Sequence, residues 1–279
     1  MADVAVVVDG LAFPEGPRWH DGRLWFSDMH AHVVQAYDPS TRAVETIVEV
    51  PRCPSGLGWL PDGTLLVVSM EDRSVLRYDG SKLSLHADLS PWATFHCNDM
   101  VVDGQGRAYV GNFGFDLHTQ AEFKSAALVL VEPDGAARPV ADELLFPNGT
   151  VITPDGSTLI VGESGGQRLT AFDIAADGSL SNRRIWAQLA AGTPDGICLD
   201  DAGTVWLASP FTNDVIRVRE GGEVVETVAV ERGAYACMLD DTGTLYVATA
   251  ESSDPVESAK LRTGRIEAIA VDAVRAGHP

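Results

Sequence analysis

The chain has 279 residues, with 40 Asp and Glu against 20 Lys and Arg and a formal charge of -20. An acidic excess on this scale repels phosphate backbones and anionic membranes, and no Lys/Arg cluster reverses it locally, which argues against nucleic-acid and membrane partners. No run approaches the roughly 18 apolar residues of a membrane span, and the opening MADVAVVVDG has no basic region ahead of a long apolar stretch, so a soluble, cytoplasmic protein is expected.

In chain order, Val4 to Val8 reads as a strand with no partner nearby in sequence. Six strands of one pattern follow: GRLWFSD from Gly22, GTLLVVS from Gly63, GRAYVGN from Gly106, STLIVGE from Ser157, GTVWLAS from Gly203 and GTLYVAT from Gly243. Their turn glycines (Gly22, Gly63, Gly106, Gly156, Gly203, Gly243) are spaced 41, 43, 50, 47 and 40 residues apart, a period typical of propeller blades. Asp21-Gly22, Pro61-Asp62-Gly63, Asp103-Gly104, Pro154-Asp155-Gly156 and Ala202-Gly203 are hairpin chemistry, so each repeat opens as a hairpin. Flanking runs rich in Val, Leu, Ile and Trp are too short for helices and apolar enough to be covered on both faces. Farther out, DGSKLSLHAD, DGAARPVAD, DGSLSNRRIWAQ and EGGEVVETVAV alternate in polarity, as half-exposed strands do.

The expected fold is all-β: a six-bladed β-propeller of four-stranded antiparallel blades, one domain over residues 1–279. The N-terminal strand is expected to pair with RIEAIAV, Arg265 to Val271, closing the ring and removing an exposed edge. The stretch around Ala121 to Ala126 is the only short helix candidate. Cys53, Cys97, Cys198 and Cys237 lack CxxC spacing and fall near the starts of first strands, where free Cys packs as a small hydrophobe.

Counting back seven residues from Gly22, and eight from each later turn glycine, reaches Glu15, Ser55, Asn98, Asn148, Asp195 and Tyr235. In an up-and-down blade these strand starts share a face with the ends of the second strands: Asp28-Met29-His30, Met70-Glu71, Asn112 to Asp116, Glu163-Ser164 and Pro210-Phe211. Glu15, Asn98, Asn148 and Asp195 form an all-oxygen set suited to calcium, magnesium or manganese more than to zinc, with calcium the first expectation. Glu15 and Asp195 neutralise a divalent ion formally and leave its shell open to water and substrate. Asn and Asp ahead of Gly are also turn formers, Asn148-Gly149 above all, but four donors at six equivalent strand starts favour metal. His30 and His32 form an HxH pair without a third nitrogen or sulfur ligand nearby. Asp116, His118, Glu122 and Lys124 occupy the longest insertion, read either as a lid or as a solvated loop.

FPEGPRWHDGRLWFSD (Phe13 to Asp28), Asn98-Asp99, FPNGTVITPDGSTLIV (Phe146 to Val161) and PDGICLDDAGTVW (Pro194 to Trp206) resemble the SMP-30/gluconolactonase/luciferin-regenerating enzyme family of regucalcin-type propellers. The resemblance covers essentially the whole chain. It implies a divalent metal held by Glu15, Asn148 and Asp195, with Asn98 as a direct or water-mediated ligand, and hydrolysis of a lactone or similar ester with Asp195 as general base. Asp99 then reads as orienting its neighbours. Sugar-lactone members usually carry Arg two residues before the Asn of the Asn-Asp motif, where this chain has His96.

His96 is accordingly read as a proton donor, a substrate-orienting group or a structural histidine. The substrate-binding set is His96, Asn98, Asn112, Phe113, Phe115, Asp116, Tyr235, Phe211 and Met29, whose apolar members favour a lactone or ester less polar than an aldonolactone. Two other classes compete: a non-catalytic propeller binding calcium or a partner, and a metal-assisted isomerase or lyase on the same site. A serine hydrolase is disfavoured because no GxSxG elbow occurs. The expected oligomeric state is a monomer or small homo-oligomer.

Overall fold

The computed structural model describes residues 4–117, 119 and 121–279. All six turn glycines have φ between +70° and +92°, a conformation that favours glycine because it has no Cβ. In the second to sixth hairpins an aspartate locks the turn. Asp62, Asp103, Asp155, Asp200 and Asp240 each accept the backbone N–H two residues on, at 2.8–3.1 Å.

Among the described residues, twenty-four strands form six four-stranded antiparallel sheets. Strand β1 is Val4–Leu11, and blade 1 follows with β2 (Pro14–His20), β3 (Arg23–Asp28), β4 (Val33–Asp38) and β5 (Ala43–Glu49). Blade 2 comprises β6 (Pro54–Trp59), β7 (Leu65–Ser69), β8 (Ser74–Tyr78) and β9 (Leu83–Asp88). Blade 3 comprises β10 (Cys97–Val102), β11 (Ala108–Asn112), β12 (Ala126–Val131) and β13 (Ala137–Leu144). Blade 4 holds β14 (Pro147–Ile152), β15 (Thr158–Glu163), β16 (Arg168–Ile174) and β17 (Leu180–Gln188). Blade 5 holds β18 (Ile197–Leu199), β19 (Val205–Ser209), β20 (Asp214–Val218) and β21 (Val224–Ala229). Blade 6 is built from β22 (Gly233–Leu239), β23 (Thr244–Ala250) and β24 (Gly264–Ala270), and β1 is its fourth strand.

That last pairing closes the ring as expected, with Val4 opposite Ile269, Ala5 opposite Ala268 and Leu11 opposite Gly264. Burial follows the radial order: every residue of β10 and β14 is buried, whereas β5 is mostly exposed. Trp206, Tyr109 and Phe26 are fully buried in this core. The four cysteines are buried thiols.

The helix expectation fails at Ala121 to Ala126. Residues 121–125 are irregular and Ala126 begins β12, because so short a stretch cannot sustain a helix by itself and pairing with β11 and β13 claims its end. Among the described residues the α-helix is α1, Pro255–Leu261; the Asp254 side chain caps the Val256 and Glu257 N–H groups, and Pro255 opens the first turn. The signal was present in Asp254-Pro255 and Glu257. None of the described helices is long and apolar enough to cross a membrane.

On the hairpin-turn face the C-terminal segment crosses three blades. Arg275 N–H bonds Asp240 O at 3.0 Å, Ala276 N–H bonds Leu199 O at 2.9 Å, and His278 exchanges two backbone hydrogen bonds with Ile152. A cavity of about 340 Å³ lies there, lined by Arg18, Trp59, Arg275 and His278 among others.

Candidate active site

The donor positions come together through local irregularities in the inner strands. Pairing of first with second strands shifts register between Glu15 and Arg18, Pro54 and Leu57, Cys97 and Met100, and Pro147 and Thr150. Each shift falls at the donor position, where a bulge re-aims a side chain off the alternating pattern. The residue after the donor is glycine in four blades. A Cβ on Gly16 would lie 2.9 Å from Ser55 O, on Gly56 2.4 Å from Met100 N, on Gly149 2.4 Å from Ile197 N, and on Gly196 2.4 Å from the Ala236 Cβ. Asn148-Gly149 is therefore no turn: it lies within β14, and its glycine lets neighbouring blades touch at the axis.

Glu15, Asn98, Asn148 and Asp195 all line one cavity of about 570 Å³ on the face opposite the hairpin turns. Glu15 Oε2 accepts the Gly16 N–H at 2.7 Å. Asn98 Nδ2 donates to Asn148 Oδ1 at 3.0 Å, and Asn148 Nδ2 lies 3.2 Å from Ser164 Oγ and also hydrogen-bonds Asp195 through its side chain. Ser55 lies behind this set, its hydroxyl 3.4 Å from Asn98 Oδ1, and Tyr235 faces the cavity from the sixth position.

A second ring stands two residues before the first. Phe13, Cys53, His96, Phe146 and Thr193 all line the cavity, so the repeat offset that found the donors also finds the wall. Only His96 of this ring stands out from sequence. Phe13 and Phe146 occupy the same place in FPEG and FPNG, the sequence signal that marks them as equivalent. The rings interlock: Phe13 meets Tyr235 edge-on at 4.6 Å and stacks on His30 at 4.9 Å, Phe146 meets Phe113 edge-on at 4.7 Å, and His96 stacks on Phe95 at 4.1 Å.

Of the other expected substrate-binding residues, Met29, Phe113 and Phe211 line the cavity, Phe211 as a rim residue 83% exposed. Asn112, Phe115 and Asp116 lie outside its wall. Asn112 donates to Ala127 O and accepts from the Gly114 N–H, which holds the chain after β11 in place. Phe115 packs on Phe123 at 5.0 Å, and Asp116 accepts the Thr119 N–H at 3.2 Å. His118, assigned with Asp116 to the long insertion, lies outside the described residues. Asp28 and Glu163 are also structural: Asp28 accepts the Ala12 and Phe13 N–H groups, and Glu163 pairs with Arg168. Helix α1 contributes Pro255 and Ala259 to the wall, beside His30 and His32. No lysine or arginine lines the cavity among the described residues.

Burial sets the electrostatics. It raises the Glu15 carboxyl well above the usual carboxylate range, with the Asp195 charge adding to the shift. Burial likewise pushes Asp195 up to about 8, against the hydrogen bond from Asn148 and with help from the Asp99 charge. Neither forms a salt bridge among the described residues. Buried Glu15 and half-buried Asp195, whose charges repel, flanked by two amides, are a donor set that fits a hard divalent cation. Among the described residues no group of three or more His, Cys, Asp or Glu side chains forms a metal-binding cluster, since half of this set is asparagine.

The model of the SMP-30/gluconolactonase/LRE-like region matches residues 13–251, which include all four donors. Regucalcin of Xenopus laevis is 29% identical over 262 residues, covering 88% of this chain and 85% of its own. The pentonolactonase of Haloferax volcanii is 28% identical over 269 residues, covering 90% and 86%. Among solved structures, luciferin-regenerating enzyme matches with a TM-score of 0.84 at 20% identity, over 99% of this chain and 98% of its own. The calcium-binding protein regucalcin from Agrobacterium tumefaciens matches with a TM-score of 0.83 at 19% identity, over 100% and 97%. The structural likenesses carry the fold, and the sequence match carries the family: this chain belongs to the SMP-30/gluconolactonase/LRE-like family.

Proposed function

We propose that this protein is a divalent-metal-dependent hydrolase of a lactone, or of a similar ester, less polar than a sugar lactone. The observation that carries the reading is the convergence of Glu15, Asn98, Asn148 and Asp195 at the floor of a cavity whose walls are largely aromatic and aliphatic. Relatives named pentonolactonase, 6-deoxy-6-sulfogluconolactonase and gluconolactonase support the reaction class. Absence of Lys and Arg from the described wall supports a neutral substrate, and Phe113, Phe146 and His96 support a less polar one.

Glu15, Asn148, Asp195 and Asn98 would hold the ion, calcium foremost, which when bound polarises a carbonyl and acidifies water. Asp195 takes the proton of the attacking water, a role that suits a carboxylate whose proton affinity burial has raised towards neutrality. Asn98 and Asn148, bonded to each other, hold the donor set in register. His96, at the wall beside Asn98, donates a proton to the departing ring oxygen or orients the substrate. Phe13, Phe113, Phe146 and Tyr235 exclude bulk water from the reacting groups.

The test is proton release from a panel of lactones and esters, using chelated protein re-supplied in turn with calcium, magnesium, manganese or zinc. Turnover with one ion, reduced at least about 100-fold in a folded Asp195→Asn variant, is expected. A second reading is favoured by the relatives named regucalcin, one of them described as calcium-binding: a propeller that binds calcium without catalysis. Tight ion binding with no turnover on any panel member would select it.

A further inference from the structure

Beneath the donor ring lies a buried charge pair that the proposed reaction does not use. Arg18, only 3% exposed, donates from Nη2 to Asp99 Oδ1 and to Met100 O, both at 2.6 Å. Its Nε donates to Leu57 O at 3.2 Å and its Nη1 to Pro17 O at 2.8 Å, so one guanidinium ties the inner strands of blades 1, 2 and 3. Asp99 Oδ1 accepts a further hydrogen bond from the Met100 N–H at 2.8 Å. Room for that carboxylate depends on Gly56, where a Cβ would lie 2.9 Å from Asp99 Oδ1.

Asp99 directly follows Asn98, and its charge acts on both Glu15 and Asp195. Three carboxylates thus crowd the axis. Left unpaired, Asp99 would compete for any cation and could draw it below the cavity floor. Arg18 engages one of its oxygens and offsets its charge, acting on Glu15 only as the smallest of its influences, so Glu15 and Asp195 are left without a salt-bridge partner among the described residues.

We propose that Arg18 is a positioning residue that withdraws Asp99 from the donor set and fixes the site's charge at that of two carboxylates, so that one divalent ion binds among Glu15, Asn98, Asn148 and Asp195. The inference rests on the reading of those four residues as ligands. Its logic is electrostatic, because a charge held in a buried site a few ångströms away changes cation affinity strongly.

The experiment is calorimetric titration of chelated protein with calcium and with manganese, alongside thermal unfolding of each metal-free variant. Asp99→Asn leaves the Arg18 cation uncompensated and should weaken binding by about tenfold or more. The double variant Asp99→Asn with Arg18→Met restores the charge balance and should return affinity to within about threefold of wild type. Arg18→Lys keeps the cation while losing the fork to Leu57 and Pro17, and should also stay within about threefold. Unchanged affinity in Asp99→Asn, a double variant no better than Asp99→Asn, or a tenfold loss in Arg18→Lys would overturn the proposal while leaving the hydrolase reading in place. A wild-type protein that binds no divalent ion would overturn both.

Discussion

Asp195 meets two opposing demands. In the proposed reaction it must be ionised, as a metal ligand and base, yet burial, with Asp99 nearby, holds its proton up to about pH 8. The folded, metal-free chain therefore keeps a proton that the unfolded chain releases near pH 4, so its stability falls as pH rises from about 4 to about 8. Glu15, raised by burial and by Asp195, adds in the same direction. Thermal unfolding of chelated protein across this window should show that decline, a smaller one in Asp195→Asn, and its reversal on adding the bound ion. A decline of the same size in both proteins would exclude Asp195 as its source. The four oxygen-bearing residues themselves were legible in the sequence because each sits seven or eight residues before a turn glycine. Arg18 was not, since nothing in EGPRW says that its guanidinium reaches Asp99, 81 positions away in the chain.

Among the elements, the inner strands are the most constrained. Gly149 and Gly196 look like turn residues beside Asn and Asp, but each faces the neighbouring blade's backbone or Cβ at 2.4 Å, measured from the Cβ it lacks. Gly149→Ala should destabilise by at least about 1–3 kcal/mol in urea unfolding, because two packed inner strands must separate at the axis. Gly203→Ala faces open space, so its penalty comes from its φ of +72° alone and should be the smaller. The hairpins were readable because Asp-Gly chemistry is local. Helix α1 was also written locally, in Asp254 and Pro255, although its seven residues interrupt a chain otherwise built of repeated strands. Asn112, Phe115 and Asp116 show the limit of counting: the repeat placed them on the cavity's face, yet Asn112 bonds to β12 and Gly114, Phe115 packs on Phe123 and Asp116 accepts the Thr119 N–H.

At the scale of the whole molecule, closure is the critical contact. Strand β1 comes from one end of the chain and completes the sheet of the other, so blade 6 cannot form from a contiguous segment. Removing residues 1–11 should leave β24 as an unpaired edge, and we expect loss of cooperative unfolding and a concentration-dependent tendency to associate, measured by calorimetry and light scattering. A truncated chain that unfolds in a single transition close to that of the full protein would contradict this role.

The sequence by itself determined the period, the turns, the closing strand and the four oxygen donors, because each is a statement about spacing along one chain or about the conformation of a single residue. Only the tertiary structure decided what the donors face. The α1 wall and the Arg18–Asp99 pair arise where separate parts of the ring meet, and such contacts follow from packing around an axis that no local pattern encodes.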